Sequence, residues 1–233
     1  MYKQNKISLI IPCYNEEKGI CAILQKVPDI VDEVIMVDNG SNDRTVEVAS
    51  KFKVKVLREK RKGYGFALKT GIDNANGKVI ITLDGDASYL VEEARKMIDY
   101  LFENELDFVS GCRLPLKDKN SMNLTNVIGT KILNLFALIL FWKHFKDILS
   151  GMWVFKADAY KKLTLTSNNW NLSEEIKIEA LKKVKFGECH INHFTRIGNT
   201  KLLKWRVGFE NLIFLFWKRL FPEKSLPPFL KLT

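Results

Sequence analysis

Disulfide chemistry has little to work with in this chain: four cysteines in 233 residues, Cys13, Cys21, Cys112 and Cys189, with no CxxC pair among them. That scatter predicts reduced, packed thiols and excludes both a disulfide-stapled scaffold and a zinc ribbon. Histidine is scarcer still, with three residues. His190 and His193, beside Cys189, fall on opposite faces of a strand, so no metal cluster is expected there. No GxxxxGK[ST] loop is present, which excludes the P-loop mode of nucleotide binding. Internal repeats and low-complexity linkers are also lacking, so one large domain with a small appendage is expected. MYKQNK runs straight into ISLII, too short an apolar stretch for a secretory leader, and a cytoplasmic location follows as the expectation. VIGTKILNLFALILFW, residues 127–142, carries Lys131 and Asn134. It is shorter than the roughly 20 residues of a bilayer crossing, which leaves lying along a membrane as its other use.

What is abundant is positive charge. Lysine and arginine number 37 against 27 acids, a net charge of +10, which points to an anionic partner such as a nucleotide, a phospholipid surface or nucleic acid. With 46% hydrophobic and 27% charged residues, the chain has the composition of a globular protein rather than a disordered one. From Arg196 onward there are eight basic and two acidic residues, interleaved with Trp205, Phe209, Phe214, Phe216, Trp217, Phe221 and Phe229. LIFLFW within that segment is one contiguous apolar run, not a set of spaced stacking platforms, so an anionic membrane surface is the expected partner and nucleic acid is not. Trp205, Phe209, Leu212, Phe216 and Leu220 recur near helical spacing, which packing against the domain explains equally well.

The first half alternates strand-like and helix-like stretches. ISLIIP precedes a helix from about Glu16, EVIMVD a helix from about Asp43, VKVLRE a helix over about Gly65 to Ala75, VIITLD a helix over about Val91 to Asn104, and DFVSG follows. Such alternation predicts an α/β fold, a mainly parallel sheet with helices on both faces, whose ligands bind beyond the carboxyl ends of the strands. Polar residues crowd those ends: Pro12, Tyr14, Asn15 and Glu16 after the first, Asp38, Asn39, Gly40 and Ser41 after the second, Asp84, Gly85 and Asp86 after the fourth.

Two like charges as close as Asp84 and Asp86 repel unless a cation lies between them. Paired hard-oxygen ligands at a strand end suit Mg²⁺ or Mn²⁺ that bridges a substrate diphosphate. Asp38 is placed to accept from a base or ribose. In EKRKGYGFALKTGI, Lys62 and Gly65 allow close approach to a phosphate ahead of a helix N-terminus. Gly63 and Gly65 do not form a dinucleotide fingerprint, because Leu68 occupies its third position.

IIPCYNEE, VDNGSND, GYGFALKTG, LDGDAS, SGCR, DILSGMWVF and RIGNTK together, spanning about residues 6 to 203, resemble the family 2 glycosyltransferases of GT-A fold, and most of all the polyprenyl (dolichyl) phosphate mannose and glucose synthases. The resemblance implies that Pro12, Tyr14, Glu16 and Asp38 hold the nucleotide, that Asp84 and Asp86 hold diphosphate and metal, and that Arg113, Ser150 and Arg196 with Lys201 serve the acceptor phosphate. The implied activity is metal-dependent, inverting transfer of a hexose from a nucleotide sugar of GDP-mannose or UDP-glucose type to a polyprenyl phosphate. Residues 1–112 would form the nucleotide-sugar half, 113–203 the acceptor half, and 204–233 a basic, aromatic tail at the membrane interface, where a membrane-protein partner also has a place. The chain departs from the family pattern at Asn39, where a second acid is usual, at Ser88, where a glutamine commonly assists the metal, and at YLVEE in place of HPP.

A lipid phosphate attacks without a strong base; an alcohol or saccharide acceptor needs a carboxylate, for which Glu174 is the candidate, with Glu175 beside it. Ser-Glu-Glu also reads as a helix cap with acids at the positive end of the dipole. Arg113 as a surface ion pair and Asp147 as a residue orienting Ser150 are further readings. Two other classes stay open: a haloacid-dehalogenase-type phosphatase, opposed by the three strands that precede LDGDAS, and a non-catalytic basic adaptor, for which the crevice acids would be surplus.

Overall fold

The structure is a computed structural model that describes residues 2, 4–198, 204–227 and 230, the side chains of Lys204 and Trp205 excepted. Seven strands form one sheet: β1 (Ile7–Cys13), β2 (Glu33–Asp38), β3 (Lys55–Arg58), β4 (Val79–Thr82), β5 (Phe108–Cys112), β6 (Trp153–Lys156) and β7 (Phe186–His190). Their order across the sheet is β3-β2-β1-β4-β6-β5-β7. The pairs β3–β2, β2–β1, β1–β4 and β5–β7 are parallel; β6 runs antiparallel to both β4 and β5. The expected α/β class holds, with β6 as the exception to the parallel rule.

Alternation along β1 shows why it is central. Every residue of ISLIIPC is buried. Leu9 and Ile11 enter one core with Ile20 and Ile23 of α1 (Glu17–Leu24), Ala49 of α2 (Thr45–Ala49), and Ala94 and Met97 of α4 (Glu93–Glu103). Ile10 points the other way, into a core with Ala67 and Leu68 of α3 (Tyr64–Asp73) and Leu172 and Ile176 of α7 (Leu172–Lys183). Successive strand side chains point to opposite faces, so a strand covered by helices on both sides must be apolar throughout.

A third cluster joins Leu133, Ala137 and Phe141 of α5 (Leu124–Phe141) to Ile178 of α7 and Leu215 of α8 (Lys204–Leu220). α6 (Ala157–Tyr160) is a single turn after β6. The division expected at residue 204 is no packing boundary. Phe214, Leu215 and Lys218 of α8 are fully buried, Asn171 Nδ2 donates to Asn211 Oδ1 at 3.0 Å, and Lys218 pairs with Glu175 at 2.8 Å and lies 3.5 Å from Glu179.

Because β2 and β3 lie on one side of β1 and β4 on the other, the chain reverses direction across the sheet between β1 and β4. The loops after these two strands diverge and leave a crevice at their carboxyl ends.

Candidate active site

A cleft of about 800 Å³ occupies that crevice, lined by residues that include Pro12, Tyr14, Glu16, Lys62, Asp84 and Asp86. The β1 loop is tied to the β2 loop by backbone donors: Asn15 N–H to Ser41 Oγ at 2.9 Å, Glu16 N–H to Thr45 Oγ1 at 2.8 Å, and Asn42 N–H to Asn15 Oδ1 at 2.7 Å. Asp38 Oδ1 accepts from Ser41 N–H at 3.1 Å. Asn15, Asp38 and Ser41 thus stand beneath the cleft as its frame and are not among the lining residues. Asn39 does line it, and its amide braces the next loop: Nδ2 donates to the carbonyls of Glu59 (3.0 Å) and Arg61 (2.8 Å), and Oδ1 accepts from Gly63 N–H at 2.9 Å. Where a second acid is usual in the family pattern, the amide supplies a donor that an acid lacks.

Asp84 and Asp86 sit at the floor. Tyr64 Oη donates to Asp84 Oδ1 at 2.8 Å; Asp86 Oδ1 accepts from both the backbone N–H (3.0 Å) and the hydroxyl (2.6 Å) of Ser88. Gly85 between them leaves no room for a side chain, since a Cβ there would lie 2.6 Å from Cys13 Sγ. The Asp84 carboxyl is pushed up to about 7, first by burial and then by the charge of Asp86, against the lowering effect of the Tyr64 hydroxyl and of Arg113. Two carboxylates that cannot both ionise cheaply form a cation site in the chemical sense. Hard oxygens fit Mg²⁺ or Mn²⁺ with a diphosphate completing the shell; no group of three or more protein ligands occurs among the described residues.

Arg196 spans the mouth of this floor, with Nη2 donating to Glu16 Oε1 at 2.8 Å and Nη1 at 3.5 Å from Asp86 Oδ2. His193 leaves Nδ1 buried without a partner among the described residues, and burial first, then Arg113, lowers its pKa to about 4. The ring packs edge-on against Tyr89 at 5.1 Å.

Arg113 and Asp147 form a two-pronged pair, Nε to Oδ2 at 2.7 Å and Nη2 to Oδ1 at 2.8 Å, with the Arg113 backbone N–H on Oδ2 at 3.0 Å. Burial opposes ionisation of Asp147, but the Arg113 charge and its hydrogen bonds outweigh it and hold the carboxyl down at about 2; burial likewise opposes the charge on Arg113, which Asp147 raises above the usual arginine range. Ser150 is fully buried, and its hydroxyl has no hydrogen-bond partner among the described residues. Since the folded Asp147 pKa of about 2 lies below its ordinary value of 3.8, its stabilisation is complete above about pH 4 and lost as pH falls towards 2, a change of about 2 kcal/mol. Denaturant titrations between pH 5 and 2 should therefore show a shallower acid slope for Asp147→Asn than for the wild type; equal slopes would mean that the pair carries no linkage.

Several expected positions lie away from the cleft. Gly65 is buried against the backbone of Asn168, where a Cβ would meet the Asn168 carbonyl carbon at 2.7 Å, so it serves close helix–loop packing. Glu174 is fully buried, with neither carboxyl oxygen hydrogen-bonded among the described residues. Burial lifts its pKa well above the ordinary value, Lys177 opposes this and Glu210 adds to it. Glu175 is structural: it accepts from Thr166 N–H (2.9 Å), Thr166 Oγ1 (2.7 Å) and Ser167 N–H (2.7 Å) and binds Lys218. Lys201 lies outside the described residues.

Sequence reasoning missed Tyr64, Asn169, Trp170 and the cleft position of Arg206. Trp170 stacks on Tyr64 with centroids 4.6 Å apart. The aromatic in GYG was the available signal for Tyr64; nothing local marked Trp170 or Arg206.

Residues 8–164 match the family described as glycosyl transferase family 2. The dolichyl-phosphate hexose transferase of Haloferax volcanii is 31% identical over 205 residues, covering 86% of this chain and 88% of that protein. Glycosyltransferase AglJ of the same organism is 30% identical over 182 residues, covering 76% of this chain and 59% of AglJ. In the fold comparison, glucosyl-3-phosphoglycerate synthase from Mycobacterium tuberculosis, solved with Mn²⁺, uridine diphosphate and glucosyl-3-phosphoglycerate, superposes with a TM-score of 0.74 at 17% identity, over 93% of this chain and 80% of that one. The expected GT-A arrangement is therefore the observed one.

Proposed function

Because the chain belongs to glycosyl transferase family 2, we propose that it moves a hexose from a nucleotide sugar to a polyprenyl phosphate, with a divalent cation and inversion at the anomeric carbon, at the cytoplasmic face of a membrane. The observation that carries this reading is the Asp84–Asp86 pair at the floor of the cleft between β1 and β4. Asp84 and Asp86 would hold Mg²⁺ or Mn²⁺, which supplies charge neutralisation at the leaving diphosphate. The remaining work falls to the chain. Tyr14, exposed at the β1 loop, and Asn39 border the nucleotide; Lys62 brings a cation to the phosphates. Tyr64 and Ser88 fix the two carboxylates, so little reorganisation is left for the reacting complex. Arg196 closes the wall between Glu16 and Asp86.

The buried state of Glu174 favours a phosphate over an alcohol acceptor. A carboxyl that is enclosed, raised in pKa and away from the cleft wall is no base for an alcohol, whereas a phosphate monoester is already anionic at neutral pH. The relative named for dolichyl phosphate supports the same acceptor class.

Support for a membrane comes from α5. Leu124, Leu135, Ile139 and the following Trp142 are 72%, 54%, 58% and 83% exposed, and the helix is long and apolar enough to cross a membrane by length and composition. Its other face, Thr130, Leu133, Ala137 and Phe141, is buried in the protein, which favours lying in an interface with half its circumference in lipid.

Incubating the protein with Mn²⁺ and vesicles that contain a short polyprenyl phosphate, with GDP-mannose, UDP-glucose or a UDP-N-acetylhexosamine in turn, should release one nucleoside diphosphate only when the lipid phosphate is present, and the protein should float with the vesicles. Equal release without the lipid, or transfer to a free alcohol in its place, would overturn the assignment.

A further inference from the structure

The two described cations expected to serve the acceptor are already engaged. Arg113 is held by Asp147, and Arg196 by Glu16 and Asp86. Arg206, in the first turn of α8, is different. It lines the cleft, it is exposed, and it has no hydrogen bond or ion pair among the described residues.

Arg206 also heads an apolar stripe. Phe209, Ile213, Phe216 and Leu220 follow it at steps of three, four, three and four residues, which keeps all five positions within about 80° of arc at roughly 100° per residue. Phe209, Phe216 and Leu220 are 57%, 44% and 71% exposed and Ile213 is half-buried. The opposite side of α8, with Asn211, Phe214, Leu215 and Lys218, is sealed into the protein. Phe216 meets Phe136 of α5 edge-on at 5.7 Å, so the stripe continues onto the exposed face of α5. From Arg206 to Leu220 the helix rises about 21 Å.

Resting on the reading above, we propose that Arg206 binds the phosphate of the lipid acceptor and that the α8 stripe carries the first part of its prenyl chain. A ligand with an anionic head and an apolar chain matches a cation inside the cleft with an apolar track leading out of it. The donor's diphosphate has its own counter-charge at Asp84 and Asp86 through the cation, which leaves the Arg206 guanidinium for a second phosphate. Guanidinium forks are suited to such a group.

The test separates donor from acceptor. Arg206→Gln should raise the KM for a short polyprenyl phosphate by about tenfold or more, the usual loss for a charge-assisted hydrogen bond, while the Kd of nucleoside diphosphate with Mn²⁺ stays within twofold, and Arg206→Lys should recover part of the loss. Phe209→Ser with Phe216→Ser should raise KM for a long-chain acceptor more than for one of a single prenyl unit. An unchanged acceptor KM in Arg206→Gln, or a nucleoside diphosphate Kd weakened by the same factor, would overturn the proposal. So would equal effects of the serine variant on long and short acceptors. A wild-type protein that binds no nucleoside diphosphate would instead remove the reading on which it rests.

Discussion

Asp86→Asn should lower the transfer rate by about 10³-fold, the order expected when several kcal/mol of charge stabilisation at the leaving group is lost, with no loss of fold stability. Asparagine keeps the acceptor oxygen that Ser88 N–H and Oγ use and removes only the charge. Burial first and then the charge of Asp86 lift the Asp84 carboxyl to about 7, so relieving that repulsion should leave the melting temperature unchanged or slightly higher. Asp84→Asn should behave alike, because the amide oxygen still accepts from Tyr64 Oη. A loss of Mn²⁺-dependent nucleotide binding together with an intact or stabilised fold is the signature of residues kept for a ligand rather than for packing. Retention of more than about a tenth of wild-type activity with Mn²⁺ in Asp86→Asn would show that the pair is not the cation site.

Lys218→Met should cost about 3–5 kcal/mol of stability, because it leaves buried acids without their counter-charge. Lys218 and Glu175 are both fully enclosed, and the Lys218 ammonium donates to Glu175 Oε1 at 2.8 Å and to the Pro222 carbonyl at 2.6 Å. Glu179 is the second acid, 3.5 Å away. Adding Glu175→Gln to Lys218→Met should restore part of the loss, since the amide still meets Thr166 and Ser167 while one uncompensated charge disappears. A denaturation midpoint equal to the wild type in Lys218→Met would mean that α8 is a detachable tail. The contacts of Asn211 and Leu215 and the burial of Phe214 argue instead for a helix locked to α7, and the cleft position of Arg206 depends on that lock.

Much of the frame was legible before the structure. The strand ends that bear Pro12, Tyr14, Asn39, Asp84 and Asp86 converge as expected, because a period of two over apolar runs and the alternation with helices leave a parallel sheet almost no other arrangement. The helix that Ser-Glu-Glu was read as capping is α7, and that expected over Val91 to Asn104 is α4. Asn15, Asp38 and Ser41 were placed at the right loops, yet their side chains brace those loops to one another. Sequence position gives the end of a strand and leaves open which side chain turns into the crevice.

Local pattern, in this protein, determines the order of strands and helices, the apolar character of β1 and the closeness of Asp84 to Asp86, since these depend on neighbours within a few residues. Only the tertiary structure decides that Arg113 is matched to Asp147, that Trp170 stacks on Tyr64, that Glu174 is sealed from the cleft and that Lys218 is buried while Arg206 faces the site. Those outcomes join residues dozens to more than a hundred positions apart. They follow from which helix faces the sheet can cover, and residue spacing along the chain carries no record of that choice.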